Sequence, residues 1–267
     1  MPRLLVGLLS ALAAALLVAP VTAAPGRPDA VFATFNRDNA KGVVLVDRIR
    51  ADEARVTIAL GRLMPGHRYR LVLSSDGCGT PLPQAEKILA EWSRADETGA
   101  IFRSQIVATD GGVWRGAKSA RLMEEEGIFY FCRAPVIVDD VGASDTPDGA
   151  YSRFGAPERR GLMVNTGAGN DTISVKLALD GLKPNTRYRV VHSPLTCAQF
   201  VEGDPDQPII VGVYRSDDEG TLLRSRTETV DKDETITIGS TRIEQVSTGE
   251  VWACARANVF AVWMTVG

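Results

Sequence analysis

Two histidines, four cysteines and two copies of an Arg-Tyr-Arg triplet are the residues of this 267-residue chain whose types suit chemistry. His67 and His192 are its only imidazoles, and imidazole nitrogen is what copper or zinc takes at fixed geometry. Arg68 and Arg70, and Arg187 and Arg189, flank Tyr69 and Tyr188. On a strand, each pair points to the face opposite its tyrosine. Guanidinium groups in such a row form a binding stripe for an anion or a partner. The structural alternative is a solvated strand face whose arginines pair with acids on a neighbouring strand, and it is the favoured reading. The other motifs are weaker. "GASD" lacks the context of a nucleophile elbow, and there is no CxxC, HExxH or phosphate loop. "EEE" (Glu124–Glu126) and "DKDE" (Asp231–Glu234) read as solvated turns, and "NTGAGND" (Asn165–Asp171) as a hairpin turn. Asn170-Asp171-Thr172 spells a glycosylation sequon. No local motif gives a positive reason to name an enzyme.

The elements that position these residues occur twice. At an offset of 119, the stretch Ala59–Cys78 meets Ala178–Cys197 with ten identities in twenty positions. Phe35 then meets Phe154, and Gly42 meets Gly161. At 121, "RADETGAIFRS" from Arg94 meets "RSDDEGTLLRS" from Arg215, and at 122 Cys132 meets Cys254. The period is too long for a solenoid unit, so a whole domain is duplicated. Each copy reads as β. "ARVTIAL" and "ISVKLAL" alternate apolar and polar residues, and turn signals such as "PG", "DETG" and "DDEG" separate the runs. One short helix is expected over Pro83–Arg94, "PQAEKILAEWSR". Many short strands with such turns predict antiparallel sandwiches or barrels. "DDVGASDTPDG" (Asp139–Gly149) reads as a linker.

The compartment is legible from the leader and the cysteines. One Arg, a run of Leu, Ala and Val, and small residues at Ala23 and Ala24 read as a signal peptide over residues 1–23. The apolar run is short for a bilayer span, so the mature chain is expected to have none. All four cysteines follow the leader, and export favours disulfides. Three pairings are possible, and two like domains each closing their own bond select Cys78–Cys132 and Cys197–Cys254. With 45% apolar and 24% charged residues the chain is globular, and a net charge of −3 gives no reason to expect nucleic acid as a partner.

Read in order, copy 1 shows "AVFATF", "KGVVLV", "ARVTIALGRLMPGHRYRLVL", "DGC", "RADETGAI" and "FYFCRAPVIV". This order resembles the copper–zinc superoxide dismutase family, over most of each copy. That family has a "GV" strand, a "GLxPGxHGFHxH" strand, a "GC" loop, a "DxxG" turn and a terminal strand whose Cys bonds back to the loop Cys. The resemblance therefore implies a Greek-key β-sandwich with the same paired Cys placement. It also implies a copper site, and there the residues depart. With a one-residue gap the ligand positions fall on Arg70 and Val72, and on Arg189 and Val191. Without the gap only His192 falls on one. No His lies between Cys78 and Arg94, where the family's zinc loop belongs, and its substrate-guiding Arg is Phe129 in copy 1 and Val251 in copy 2. One imidazole per domain cannot make a redox copper site. The tyrosine in "LxPxxxY" also resembles the tyrosine corner of fibronectin-type sandwiches, and both resemblances predict a buried ring with a bonded hydroxyl.

The sequence thus predicts an all-β chain: a leader, a first β-sandwich over 28–138, a linker over 139–148 and a second β-sandwich over 149–267, with one disulfide each. The expected function is a non-catalytic binding or structural module, exported to the periplasm or outside the cell, with no cofactor and an unidentified protein or surface ligand as partner. The alternatives are an enzyme with a degenerate metal site at the domain interface, where His67 and His192 are the weak candidate ligands, and a pair of fibronectin-like adhesion modules.

Overall fold

The computed structural model describes residues 30–50, 52–79, 86–88, 90–109, 117–125, 130–140, 149–167, 172–199, 209–229 and 238–265. Among these the chain is all-β, with no helix. The expected leader, most of the linker, "GASD", "DKDE" and the first two residues of the sequon lie outside the described residues.

The first copy opens with three antiparallel neighbours, β1 (Ala30–Arg37), β2 (Ala40–Arg48) and β3 (Glu53–Gly61). The chain then crosses to a second sheet for β4 (Arg68–Ser74) and the short edge strands β5 (Glu86–Ile88) and β6 (Ser93–Arg94). It returns beside β3 as β7 (Ile101–Ala108) and crosses again to β8 (Ser119–Glu124), which pairs with β4. The copy ends with β9 (Tyr130–Arg133) on β8 and β10 (Val136–Asp140) on β1. The second copy repeats this Greek-key path. β11 (Gly149–Ala156), β12 (Arg159–Gly167) and β13 (Thr172–Asp180) are neighbours. Across from them lie β14 (Arg187–Ser193), β15 (Ile209–Arg215) and β17 (Ser240–Gln245), and β16 (Leu222–Thr229) returns beside β13. Here one long strand, β18 (Val251–Thr265), pairs with both β17 and β11. In copy 1 Pro135 separates β9 from β10, because proline cannot continue a ladder. Copy 2 has Ala257 at the matching place and β18 runs on.

Each copy closes a sandwich core. In the first, Val44, Val46, Ile58, Leu60, Leu71, Leu73 and Leu122 pack between the sheets, and in the second Met163, Val175, Leu177, Val190 and Ile243 do so. A third core joins the copies. Phe32, Val43, Leu45, Ala59 and Phe102 meet Leu162, Val164, Ala178 and Leu223. Several positions enter this core from both copies at the 119 offset, among them Val43 and Leu162, Leu45 and Val164, and Ala59 and Ala178. The interface is therefore close to two-fold symmetric. β10 pairs with β18, so one hydrogen-bonded path runs β16-β13-β12-β11-β18-β10-β1-β2-β3-β7 and curls into a nearly closed barrel around this third core. Asp139 and Asp140, read as the start of the linker, end β10 opposite Ala261 and Phe260. Arg153 of copy 2 bonds Asp47 of copy 1 across the interface.

The disulfides are Cys78–Cys132 and Cys197–Cys254, closing sequence separations of 54 and 57. The expected helix over Pro83–Arg94 is overturned by the residues of it that are described, 86–88 and 90–94, none of which is helical. Glu86–Ile88 pair with Ser74–Val72, and Ser93–Arg94 with Tyr69–Arg68. The free edge of β4 offers backbone groups that need partners, and this pairing outweighs the helical propensity of the segment. "EEE" is not a solvated turn throughout: Glu124 lies in β8 and is buried.

Candidate functional site

The duplicated tyrosines set the geometry at the start of β4 and β14. Both rings are buried, and each hydroxyl accepts the backbone N–H five residues earlier: Met64 to Tyr69 at 3.1 Å and Lys183 to Tyr188 at 2.9 Å. This pins the Pro-containing turn onto the strand in both copies, and the arginines flanking each ring face outward. Their partners differ. Arg68 Nη1 donates to both oxygens of Glu125, at 2.7 and 3.0 Å. Arg70 lies over the Trp92 ring, 4.7 Å from its centre. Arg189 Nε donates to the buried Glu244 at 2.6 Å, and Arg187 is exposed. Three of the four are therefore held by an acid or a ring.

The positions onto which the copper ligands of the resembled family fall do not fit a metal. Val72 and Val191 are buried and carry no donor atom, and Arg70 and Arg189 are cations engaged elsewhere. The two histidines have separate surroundings. His67 sits in the turn before β4, and its Nδ1 meets a carboxylate oxygen of Glu124. His192 is the second-last residue of β14, at the far end of the matching strand in the other copy, and is buried in the second sandwich. The described residues show no cluster that joins them. The group with metal-ligand spacing there is Asp217, Asp218 and Glu219, all exposed in the "DDEG" turn.

His192 belongs to a polar quartet with no local sequence signature. Its Nε2 receives the amide nitrogen of Asn165 (β12), and its Nδ1 lies 3.0 Å from Thr241 Oγ1 (β17). Ser152 Oγ (β11) donates to the same Thr241 oxygen at 2.7 Å. All four residues are buried. Burial pushes the His192 imidazole down to about 4, so the ring is neutral at physiological pH.

A second feature is a cleft of about 350 Å³ between the copies, at the end of the barrel where β3 stops and β7 and β16 begin. Gly61, Arg62 and Thr98 line it from copy 1, and Arg215, Asp217 and Arg224 from copy 2. Its walls are the two repeated acidic turns. Asp96 Oδ1 accepts the N–H groups of Thr98 and Ala100, and Asp217 Oδ1 that of Thr221. Gly99 and Gly220 have φ of 77° and 80°, and a Cβ on either meets a backbone oxygen at 2.2 Å, so the glycine of "DxxG" is required twice. Sequence reasoning singled out the turns and missed the cleft, because its arginines come from segments brought together only by the third core.

No protein-family model matches the chain, and no curated protein matches it in sequence. Among the described residues, no helix is long and apolar enough to cross a membrane. Two disulfides suggest an oxidising compartment.

Proposed function

We propose that the chain is an exported, non-catalytic binding or structural module, made of two tandem β-sandwich domains that resemble copper–zinc superoxide dismutase domains without their metal ligands. The observation that carries this reading is the chemistry at the ligand positions. Valine supplies no lone pair, and a guanidinium held against Trp92 or Glu244 repels a cation. The rest of the scaffold supports the resemblance: in each copy a Cys in the loop after the fourth major strand bonds to the last part of the chain's path. The third core favours a module that works as one body, since both copies bury apolar side chains in it. The leader-like start and the disulfides support export to the periplasm or the medium.

The test is metal content by mass spectrometry on protein exported through its own leader, with a superoxide assay on the same sample. The expected result is no stoichiometric copper or zinc and no activity. Metal near one per chain, lost in His67→Ala and His192→Ala, overturns the proposal and puts an interface metal site in its place.

A further inference from the structure

We infer that the cleft between the two copies binds small oxyanions, the phosphate or carboxylate groups of a compact ligand, through Arg62, Arg215 and Arg224. The inference rests on the reading of the chain as a binding module and names its ligand class. Three observations meet in it.

The first is unpaired positive charge. Elsewhere along the interface, arginines are matched to carboxylates: Arg153 bonds Asp47, and Arg160 bonds Asp180. In the cleft they are not. Arg215 Nε donates to the backbone oxygen of Asn185 at 3.0 Å and Arg224 Nη1 to that of Leu223 at 3.0 Å, and among the described residues neither has a carboxylate partner. Arg62 is exposed and has no hydrogen-bonding partner there. Acids are at hand and remain uncommitted to the arginines. Asp217 spends Oδ1 on the Thr221 N–H at 2.6 Å. Glu219, exposed and also lining the cleft, has its pKa raised first by Asp218 and then by Asp217 beside it, which favours its neutral form. Lys41 adds a fourth cation near Arg62 and Arg224. Its ammonium is lowered by burial and then by the charges of those two arginines, as expected beside a positive cluster.

The second is strain. Arg62 has a φ of 62°, in the left-handed region that ordinary residues avoid. Its repeat partner is Gly181, with a φ of 83°. Copy 2 thus has the residue that the backbone prefers, and copy 1 holds an arginine at the same turn, where it lines the cleft. A strained residue kept at a cleft points to a role for its side chain.

The third is size and shape. About 350 Å³ lies at the lower end of the range for small-molecule sites and admits a ligand with one or two charged groups. Guanidinium forks match the paired oxygens of carboxylate and phosphate.

The experiment is isothermal titration calorimetry at low salt on the exported protein after dialysis against a chelator. The probes are sodium tripolyphosphate and sodium citrate in separate titrations, to distinguish phosphate from carboxylate sources. Saturable binding of at least one probe, weakened by added salt, is expected. Arg62→Gly should weaken it roughly tenfold, the factor carried by one charge-assisted hydrogen bond, while Tm stays the same or rises because glycine relieves the strain. Arg224→Gln should weaken it by a similar factor from the other wall. Lys118→Gln, which removes an exposed cation at the start of β8, should leave it unchanged. Absence of saturable binding by both probes overturns the inference, as does unaltered affinity in Arg62→Gly and Arg224→Gln. The metal analysis reads a different outcome on undialysed protein, so either proposal can fail while the other stands.

Discussion

The same four core positions are apolar in one copy and polar in the other. In copy 1 they are Ala33, Val46, Leu73 and Ala120, all in the first sandwich core. In copy 2 they are Ser152, Asn165, His192 and Thr241. The match is fixed by register. Leu73 faces Ala120 across β4 and β8 as His192 faces Thr241 across β14 and β17. Val46 pairs with Val31 and Val56 as Asn165 pairs with Ala150 and Val175. One backbone therefore supports two solutions at the same end of the sandwich. The lesson is that polar groups enter a core as a set. A lone imidazole at position 73 would be buried among methyl groups, whereas His192 finds Asn165 and Thr241, and Thr241 also receives Ser152.

The largest expected effect serves as the control for this comparison. The two disulfides close separations of 54 and 57, so the chain-entropy model gives each copy the same loss when its bond is removed, about 4 kcal/mol. Denaturant unfolding of the Cys78→Ser/Cys132→Ser and Cys197→Ser/Cys254→Ser variants should show equal decreases. A clear inequality would mean that the break between β9 and β10, against the continuous β18 that carries Cys254, changes what each bond constrains.

Next in size is the pH dependence, which belongs to copy 2 alone. The His192 imidazole sits at about 4 in the folded chain, against 6.5 for a free imidazole side chain. Between these values the unfolded chain binds the extra proton, so stability is complete above about pH 6.5 and falls as pH drops towards 4. The loss is about 3 kcal/mol over that window. Carboxylates titrate there too, so the measurement is a difference: denaturant midpoints of the wild type and of a variant carrying the copy-1 residues, Ser152→Ala, Asn165→Val, His192→Leu and Thr241→Ala. The variant should lose this component of the slope.

That same variant separates a set from a sum. His192→Leu alone should cost about 2 kcal/mol, because Asn165 and Thr241 are left buried with lost partners. The fourfold change should restore most of this, since apolar residues of suitable size fill the same place in copy 1. If the fourfold variant is less stable than His192→Leu, the quartet is not exchangeable and the register match above does not extend to packing.

Much of this was legible in the chain and some was not, for physical reasons. The repeat, the β class and the disulfide pairing follow from spacing, because duplicated sequence constrains both copies at once. The third core left a trace: "GVVLV" in β2 and "GLMV" in β12 are apolar without alternation, as strands buried on both faces must be. Pro83–Arg94 misled because helical propensity is local and the open edge of β4 is not. The quartet was hidden because an Asn facing a Val at the 119 offset reads as ordinary divergence until β12, β14 and β17 are brought together. Arg62 was hidden because φ is not spelled by residue type outside Gly, Asn and Asp.

The smallest effect tests where the copies should still agree. Tyr69 and Tyr188 are both about 1% exposed, and each hydroxyl accepts one backbone N–H. Tyr69→Phe and Tyr188→Phe each remove one buried hydrogen bond and leave the ring in place, so each should cost about 1 kcal/mol. The two losses should match within about half that, as independent sites in equivalent surroundings do. Matching values from denaturant unfolding would show that the two buried tyrosine corners remain equivalent and that the divergence of the sandwich cores lies at the far ends of β4 and β14, where the quartet is. A much larger loss at Tyr188 would instead show that the polar core has made the second sandwich more dependent on every remaining bond.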